Sequence, residues 1–199
     1  MKPYTDRQME IINAAIDLIA DNGIQQMTIK NLSIKIGFSE GAVYRHFDSK
    51  MEILLGILAM FKNDKNSILT QMQPSTKDDA LTKLQTLLQE RFAHFNANPA
   101  IAAVIFSEEI FQNDKRLSEE VFRIMQESQA IMRSVIENGQ KTGQMRTDIS
   151  AKQLSLLITG ALRLIVTQWR LSGFSFDLQR EGRQLWKSIK QIVTSLNNS

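Results

Sequence analysis

Apolar residues recur at spacings of three and four along nearly the whole chain, the period of helices with one buried face. Met9, Ile12, Ile16 and Ile19 share such a face, with Ala15 beside them, and Asn22-Gly23 closes it. Glycine suits that place because it enters the left-handed region at a helix C-terminus without steric cost. Thr28 is placed to cap a second helix running to Ile36, which Gly37 breaks. Ser39 caps a third helix of about two turns, reaching roughly His46. Ser49-Lys50-Met51-Glu52 reads as a capping box that opens a fourth, longer helix towards Gln71.

Pro74-Ser75-Thr76 is a loop signal, and Lys77-Asp78-Asp79 starts the next helix. Leu81, Leu84, Leu88 and Phe95 form its stripe, widened by Leu87 and Phe92. After a break over Asn96 to Pro99, a sixth segment runs from Ala100 to Phe111. Leu117, Val121, Ile124, Ile131 and Val135 carry a seventh, ending between Gly139 and Gly143. Asp148 or Ser150 opens an eighth that is apolar nearly all round; Ser172-Gly173 stops it, and Asp177 caps the last. The pattern predicts an all-α chain of about nine helices, without repeats or strand-like alternation.

Composition acts mainly by exclusion. The 199 residues contain no cysteine, which removes disulfides, thiol nucleophiles and cysteine-ligated metals. His46 and His94, the only two histidines, leave little for a histidine metal site. No metal or cofactor is expected. The N-terminus shows no signal-peptide pattern. The most apolar stretch, Leu154 to Val166, is too short to span a bilayer and carries Arg163, so no membrane partner and a cytoplasmic location are expected. Net charge is only +3, and residues 1–50 balance six basic side chains against six acidic ones. Bulk charge alone does not point to nucleic acid.

Local chemistry does. Two short helices joined at Gly37-Phe38-Ser39 fit a helix-turn-helix, which needs a tight glycine-containing turn. Its second helix would enter the major groove with its N-terminal residues facing base edges. Gly41 and Ala42 there would let the backbone approach DNA closely, and Val43 completes the base-facing run from Ser39. Tyr44, Arg45 and His46 supply donors in reach of phosphates. Lys50 is unfavourably placed in the first turn of a helix, whose dipole is already positive there, by about 0.3–1 kcal/mol. A phosphate alongside would reverse that sign.

Residues 27–50, from Met27-Thr28-Ile29 through Leu32-Ser33-Ile34-Lys35-Ile36-Gly37-Phe38-Ser39-Glu40-Gly41-Ala42-Val43-Tyr44-Arg45-His46-Phe47 to Asp48-Ser49-Lys50, resemble the N-terminal domain of TetR/AcrR-type transcriptional regulators. The resemblance extends over residues 5–55. Departures are Ser33 and Ile36, where the family usually has alanine, and Phe38, where it has valine. The resemblance implies a helix-turn-helix DNA-binding domain over 1–50 and a helical ligand-binding and dimerisation domain over 51–199. It also implies a regulator of transcription, a repressor by family default, released from an operator by a small effector. Thr28, Ser39, Gly41, Ala42, Val43, Tyr44, His46 and Lys50 are the expected DNA-binding residues.

A homodimer is expected through the last two helices. Leu178, Leu185 and Ile192 repeat at seven, as do Gly182, Ile189 and Leu196, which fits a long seam between packed helices. Gly182, Leu185, Ile189 and Ile192 are its expected residues, with Gly182 allowing close approach. An all-round apolar eighth helix must also be covered on both sides. Met60, Phe92, Phe95, Phe106, Phe111, Met125, Met132 and Trp169 are candidate pocket walls. Few charges accompany them, which favours an apolar or amphipathic effector over a sugar phosphate.

Two other function classes fit less well. An enzyme would need a constellation that is not found: neither histidine has a partner at a familiar catalytic spacing, and Glu108-Glu109 point about 100° apart on a helix. A helical ligand carrier without DNA activity could use residues 81–169 equally well, but it would have no need of the run from Thr28 to Lys50.

Overall fold

The structure, a computed structural model, describes residues 4–71, 79–106 and 114–194, with backbone alone for 62–71. Among the described residues there are nine α-helices, one 3-10 turn and no strand. The helices are α1 Asp6–Asn22, α2 Ile29–Ile36, α3 Glu40–Tyr44, α4 Lys50–Gln71, α5 Ala80–Ala97, α6 Pro99–Ile105, α7 Lys115–Lys141, α8 Ala151–Leu171 and α9 Leu178–Val193. The 3-10 turn is Ile24–Gln26. Phe111, Glu108, Glu109, Leu196 and the loop from Pro74 to Asp78 lie outside the described residues.

The chain divides into two compact units. One comprises Met1–Met72 with Pro99–Arg123, the other Gln73–Asn98 with Ile124–Ser199. In the first, α1 packs on α2, the 3-10 turn, α4 and α6, and α4 also packs on α6. The core residues of α1 are Ile11, Ile12, Ala14, Ala15, Leu18 and Ile19, a wider face than the sequence stripe, with Met9 and Ile16 at its half-buried margins. The buried face of α4 is Ile53, Leu54, Ile57, Leu58 and Phe61. Helix α6 buries Ala100 through Ile105 without interruption and opens on Pro99, whose missing N–H is unneeded in a first turn.

In the second unit, α9 packs on α5 and α8. Helix α5 contributes Leu84, Leu87, Leu88, Phe92 and Phe95, and α9 contributes Leu178, Gly182, Trp186, Ile189 and Val193. Helix α7 is one helix through Gly139, and the Met145 side chain lies against that glycine. A β-carbon there would lie 2.6 Å from Met145 Sδ.

Two sequence expectations change. The capping box at Ser49 is only half made: Ser49 Oγ accepts the Glu52 N–H at 3.3 Å, but the Glu52 carboxylate turns to Arg116. A guanidinium is a stronger partner for that carboxylate than a backbone N–H. The apolar stretch in α8 extends to 21 residues, which by length and composition is enough to cross a membrane. Its inner face is built like that of a bundle helix, with Ala151, Leu154, Ser155, Ile158, Leu162, Val166 and Trp169 buried. The opposite face stays open among the described residues: Leu156, Leu157 and Leu164 are about 60% exposed and Leu171 is 73% exposed.

Candidate DNA interface and effector region

The turn of the helix-turn-helix follows from local sequence. Gly37 sits at φ 70°, ψ 27°, a left-handed conformation that would strain any side chain. The Phe38 N–H then reaches the Ser33 carbonyl at 2.9 Å and the Gly37 N–H that of Ile34 at 3.3 Å, closing α2 with a Schellman motif. Ser39 follows in extended conformation and its Oγ accepts the Ala42 N–H at 3.2 Å. Thr28 caps α2 in the same way, accepting the Asn31 N–H at 3.1 Å. Of the three departures from the family pattern, Ser33 is buried and donates to the Lys30 carbonyl, while Ile36 and Phe38 are half-buried.

Helix α3 is anchored on one side and open on the other. Val43 is fully buried, so it fastens the helix to its unit; the expectation that it faces the bases is corrected on that ground. Ser39, Glu40, Gly41, Tyr44 and Arg45 are exposed, and Ala42 and His46 half-buried. A β-carbon on Gly41 would meet nothing closer than Ser39 Oγ at 4.0 Å, so this glycine leaves a shallow, unobstructed surface. Thr28 is also exposed. Lys50 is half-buried, and burial lowers its pKa from the ordinary lysine value. Both burial and the helix dipole work against its charge, and a bound phosphate would offset both.

Two residues that sequence reasoning passed over hold this surface in place. Arg7 lies over the Phe38 ring, 5.3 Å from its centroid, directly before the cap of α3. Gln8 donates through Nε2 to the His46 carbonyl at 3.2 Å, just beyond the end of α3. The first turn of α1 therefore grips the recognition helix at both ends. The available signal was Thr5-x-x-Gln8, a capping box that fixes where α1 starts.

The candidate pocket residues divide between the units. Phe92, Phe95 and Trp169 are buried in the second unit, whereas Met60 and Phe106 are half-buried in the first. Met125 is 38% exposed, so an enclosed pocket within its unit does not include it. Met132 is buried, and the Thr159 hydroxyl approaches its sulfur at 3.9 Å.

The expected seam on α9 is revised. Gly182 does allow close approach, but to Phe92 of the chain's own α5, and Ile189 is buried within the same unit. Leu185 is half-buried and Ile192 is 44% exposed.

A family model described as the bacterial regulatory proteins of the tetR family matches residues 11–57, which take in α2, the turn and α3. A second, the C-terminal region of YsiA-like protein, matches residues 61–192. The chain belongs to the tetR family. It is a DNA-binding transcriptional regulator. The fatty acid metabolism regulator protein of Bacillus subtilis is 23% identical to this tetR-family chain over 200 residues, covering 100% of both. The fatty acid degradation regulator FadR of Bacillus halodurans has the same fold, with a TM-score of 0.81 at 20% identity over 95% of this chain and 97% of that one. FadR of Bacillus subtilis, solved in complex with stearoyl-CoA, has a TM-score of 0.72 at 22% identity, covering 91% and 96%.

A first expected outcome concerns Lys50. If Lys50 meets a phosphate and no base, as expected, Lys50→Ala should lower affinity to a similar degree for every duplex, and the slope of log affinity against log salt should shrink by about one. Binding as tight as wild type at every salt concentration would remove Lys50 from the interface.

Proposed function

We propose that this tetR-family regulator is a cytoplasmic homodimeric repressor, without enzymatic activity, that an amphipathic effector with a long apolar chain releases from its operator. Residues 1–50 would carry DNA binding, and 51–199 effector binding and dimerisation. Ser39, Gly41 and Ala42 would face base edges, while Thr28, Tyr44, His46 and Lys50 position the domain on phosphates. The observation that carries the effector reading is the likeness, over nearly the whole chain, to a FadR solved with stearoyl-CoA. The buried aromatic side chains Phe92, Phe95 and Trp169 of the second unit support an apolar ligand. The uncovered face of α8, with Leu185 and Ile192 on α9, supports a second copy as its cover.

Release needs only that the effector favour the state that cannot bind DNA. A hundredfold loss of operator affinity requires about 2.8 kcal/mol of differential binding, and linkage makes operator weaken the effector by the same factor. The test is a titration of labelled operator duplex with protein, with and without saturating stearoyl-CoA. The expected result is about a hundredfold weaker binding with the acyl-CoA present. Unchanged operator affinity, with stearoyl-CoA demonstrably bound, would contradict release by this class of ligand.

A further inference from the structure

The surface of α3 is short of groups that can read a base. Of the three residues set against base edges, Gly41 and Ala42 carry no polar side chain, and Ser39 Oγ is engaged at the helix end by the Ala42 N–H at 3.2 Å. Val43 is buried. The major-groove code is written in hydrogen-bond donors and acceptors, so a surface of glycine and alanine admits the helix without telling G·C from A·T by hydrogen bonds. Two side chains on this short stretch can. Glu40 and Arg45 are exposed, and neither has a hydrogen bond or an ion pair among the described residues.

Their positions bracket the open patch. Cα–Cβ bonds in a helix lean towards its N-terminus, so Glu40, the first residue of α3, projects past the end that would enter the groove. Arg45 directly follows α3 and keeps a helical conformation, with φ −71° and ψ −19°. Two positions beyond the buried Val43, it lies about 200° around the helix from it. It shares that face with Gly41, four residues earlier, where a β-carbon would meet nothing closer than 4.0 Å. Five residues of helix rise about 7.5 Å, roughly two base steps, so the two side chains would meet different base pairs. We propose that Glu40 and Arg45 are the specificity-determining residues of α3. The Glu40 carboxylate accepts from the N4 amino group of a cytosine, and the Arg45 guanidinium donates to O6 and N7 of a guanine. The inference rests on the reading that α3 enters the major groove, and it takes Arg45 from the phosphate donors, where Tyr44 and His46 stay. A carboxylate is repelled by the phosphates of every duplex, and only a donor on the right base offsets this, so Glu40 acts by rejecting wrong sites. Both charges also complement the helix dipole, a structural role that would be blind to base sequence.

The experiment selects duplexes from a random library with full-length wild type, Glu40→Gln and Arg45→Ala, each shown to be folded by a melting curve. Affinities for the wild-type site and for a random duplex are then measured. Wild type should enrich a half-site with a cytosine and a guanine that the two variants change separately. Glu40→Gln should turn the cytosine to adenine, because an amide pairs with adenine N6 and N7. It should also bind the random duplex more tightly than wild type, because a repulsive charge is gone. Arg45→Ala should lose a guanine preference of about tenfold, and Arg45→Lys should keep part of it. In Arg45→Ala the salt slope at the selected site should be unchanged, whereas a lost phosphate contact would shrink it by about one. Half-sites identical to wild type in both variants would overturn the assignment and leave the α3 reading standing. So would an equal loss of affinity for every duplex, which would mark the two charges as structural. A change at one base only would overturn the assignment of the other residue. A wild-type library that stays random would overturn the α3 reading, and the assignment with it.

Discussion

Leu157→Glu combined with Leu164→Glu is expected to leave the protein folded, monomeric and unable to hold its operator. Both leucines are about 60% exposed on α8, on a strip that continues through Gly160 to Leu171. In the lone chain a glutamate there faces water, so the helix and its buried inner face should be untouched. In a dimer each leucine covered by the second copy contributes about 1.5–3 kcal/mol, and a carboxylate in its place loses this and adds a desolvation cost of several kcal/mol. One five-residue recognition helix reads too few base pairs alone, so loss of the second copy should remove specific binding as well. Sedimentation and a melting curve check both halves. A double variant that remains dimeric places the interface elsewhere. Leu185→Glu with Ile189→Glu would not discriminate in this way, because Ile189 is buried within its own unit and the charge would damage the fold first.

The second large effect is on stability. Gly182→Ala drives a β-carbon into Phe92 Cδ2 and places it 2.7 Å from Cγ, with the residue only 1% exposed. An alanine in a helix interior ordinarily gains up to about 1 kcal/mol over glycine. Overpacking a closed core costs about 1–3 kcal/mol or more, and a contact this short against a rigid ring lies at the upper end. The clash wins, and Tm should fall by several degrees, at about 2–4 °C per kcal/mol for a chain of this length. Phe92→Leu in the same chain should recover much of the loss, because the two positions are in contact and their effects couple. A Gly182→Ala protein as stable as wild type would mean that α5 and α9 can separate freely. The outcome at Gly139 should be milder, since the atoms in the way there belong to the flexible side chain of Met145.

The features legible in the sequence are those decided within a few residues. Thr28, Ser39, Ser150 and Asp177 cap their helices as their side chains and positions indicate, because an N-cap needs only an oxygen and the N–H two or three residues on. Gly37 shows the same for a turn. What required the fold was the direction in which each face points. Val43 lies in the recognition helix and looks like a base contact, yet its rotation on a short helix turns it into the core. The seven-residue repeat on α9 identifies a packed face but not its occupant, and Phe92 of the same chain supplies one. Glu52 had a local role available and was drawn away by Arg116, a residue 64 positions distant.

We infer that α3 reads base edges, and that two copies do so together. Selection of tight-binding duplexes from a random library by the full-length protein tests it most directly. The expected result is enrichment of a short sequence and its inverted copy, with centres about 34–36 Å apart or a multiple of that spacing, one helical turn of DNA being the unit. A library that stays random after selection, or a single site without an inverted partner, would contradict it.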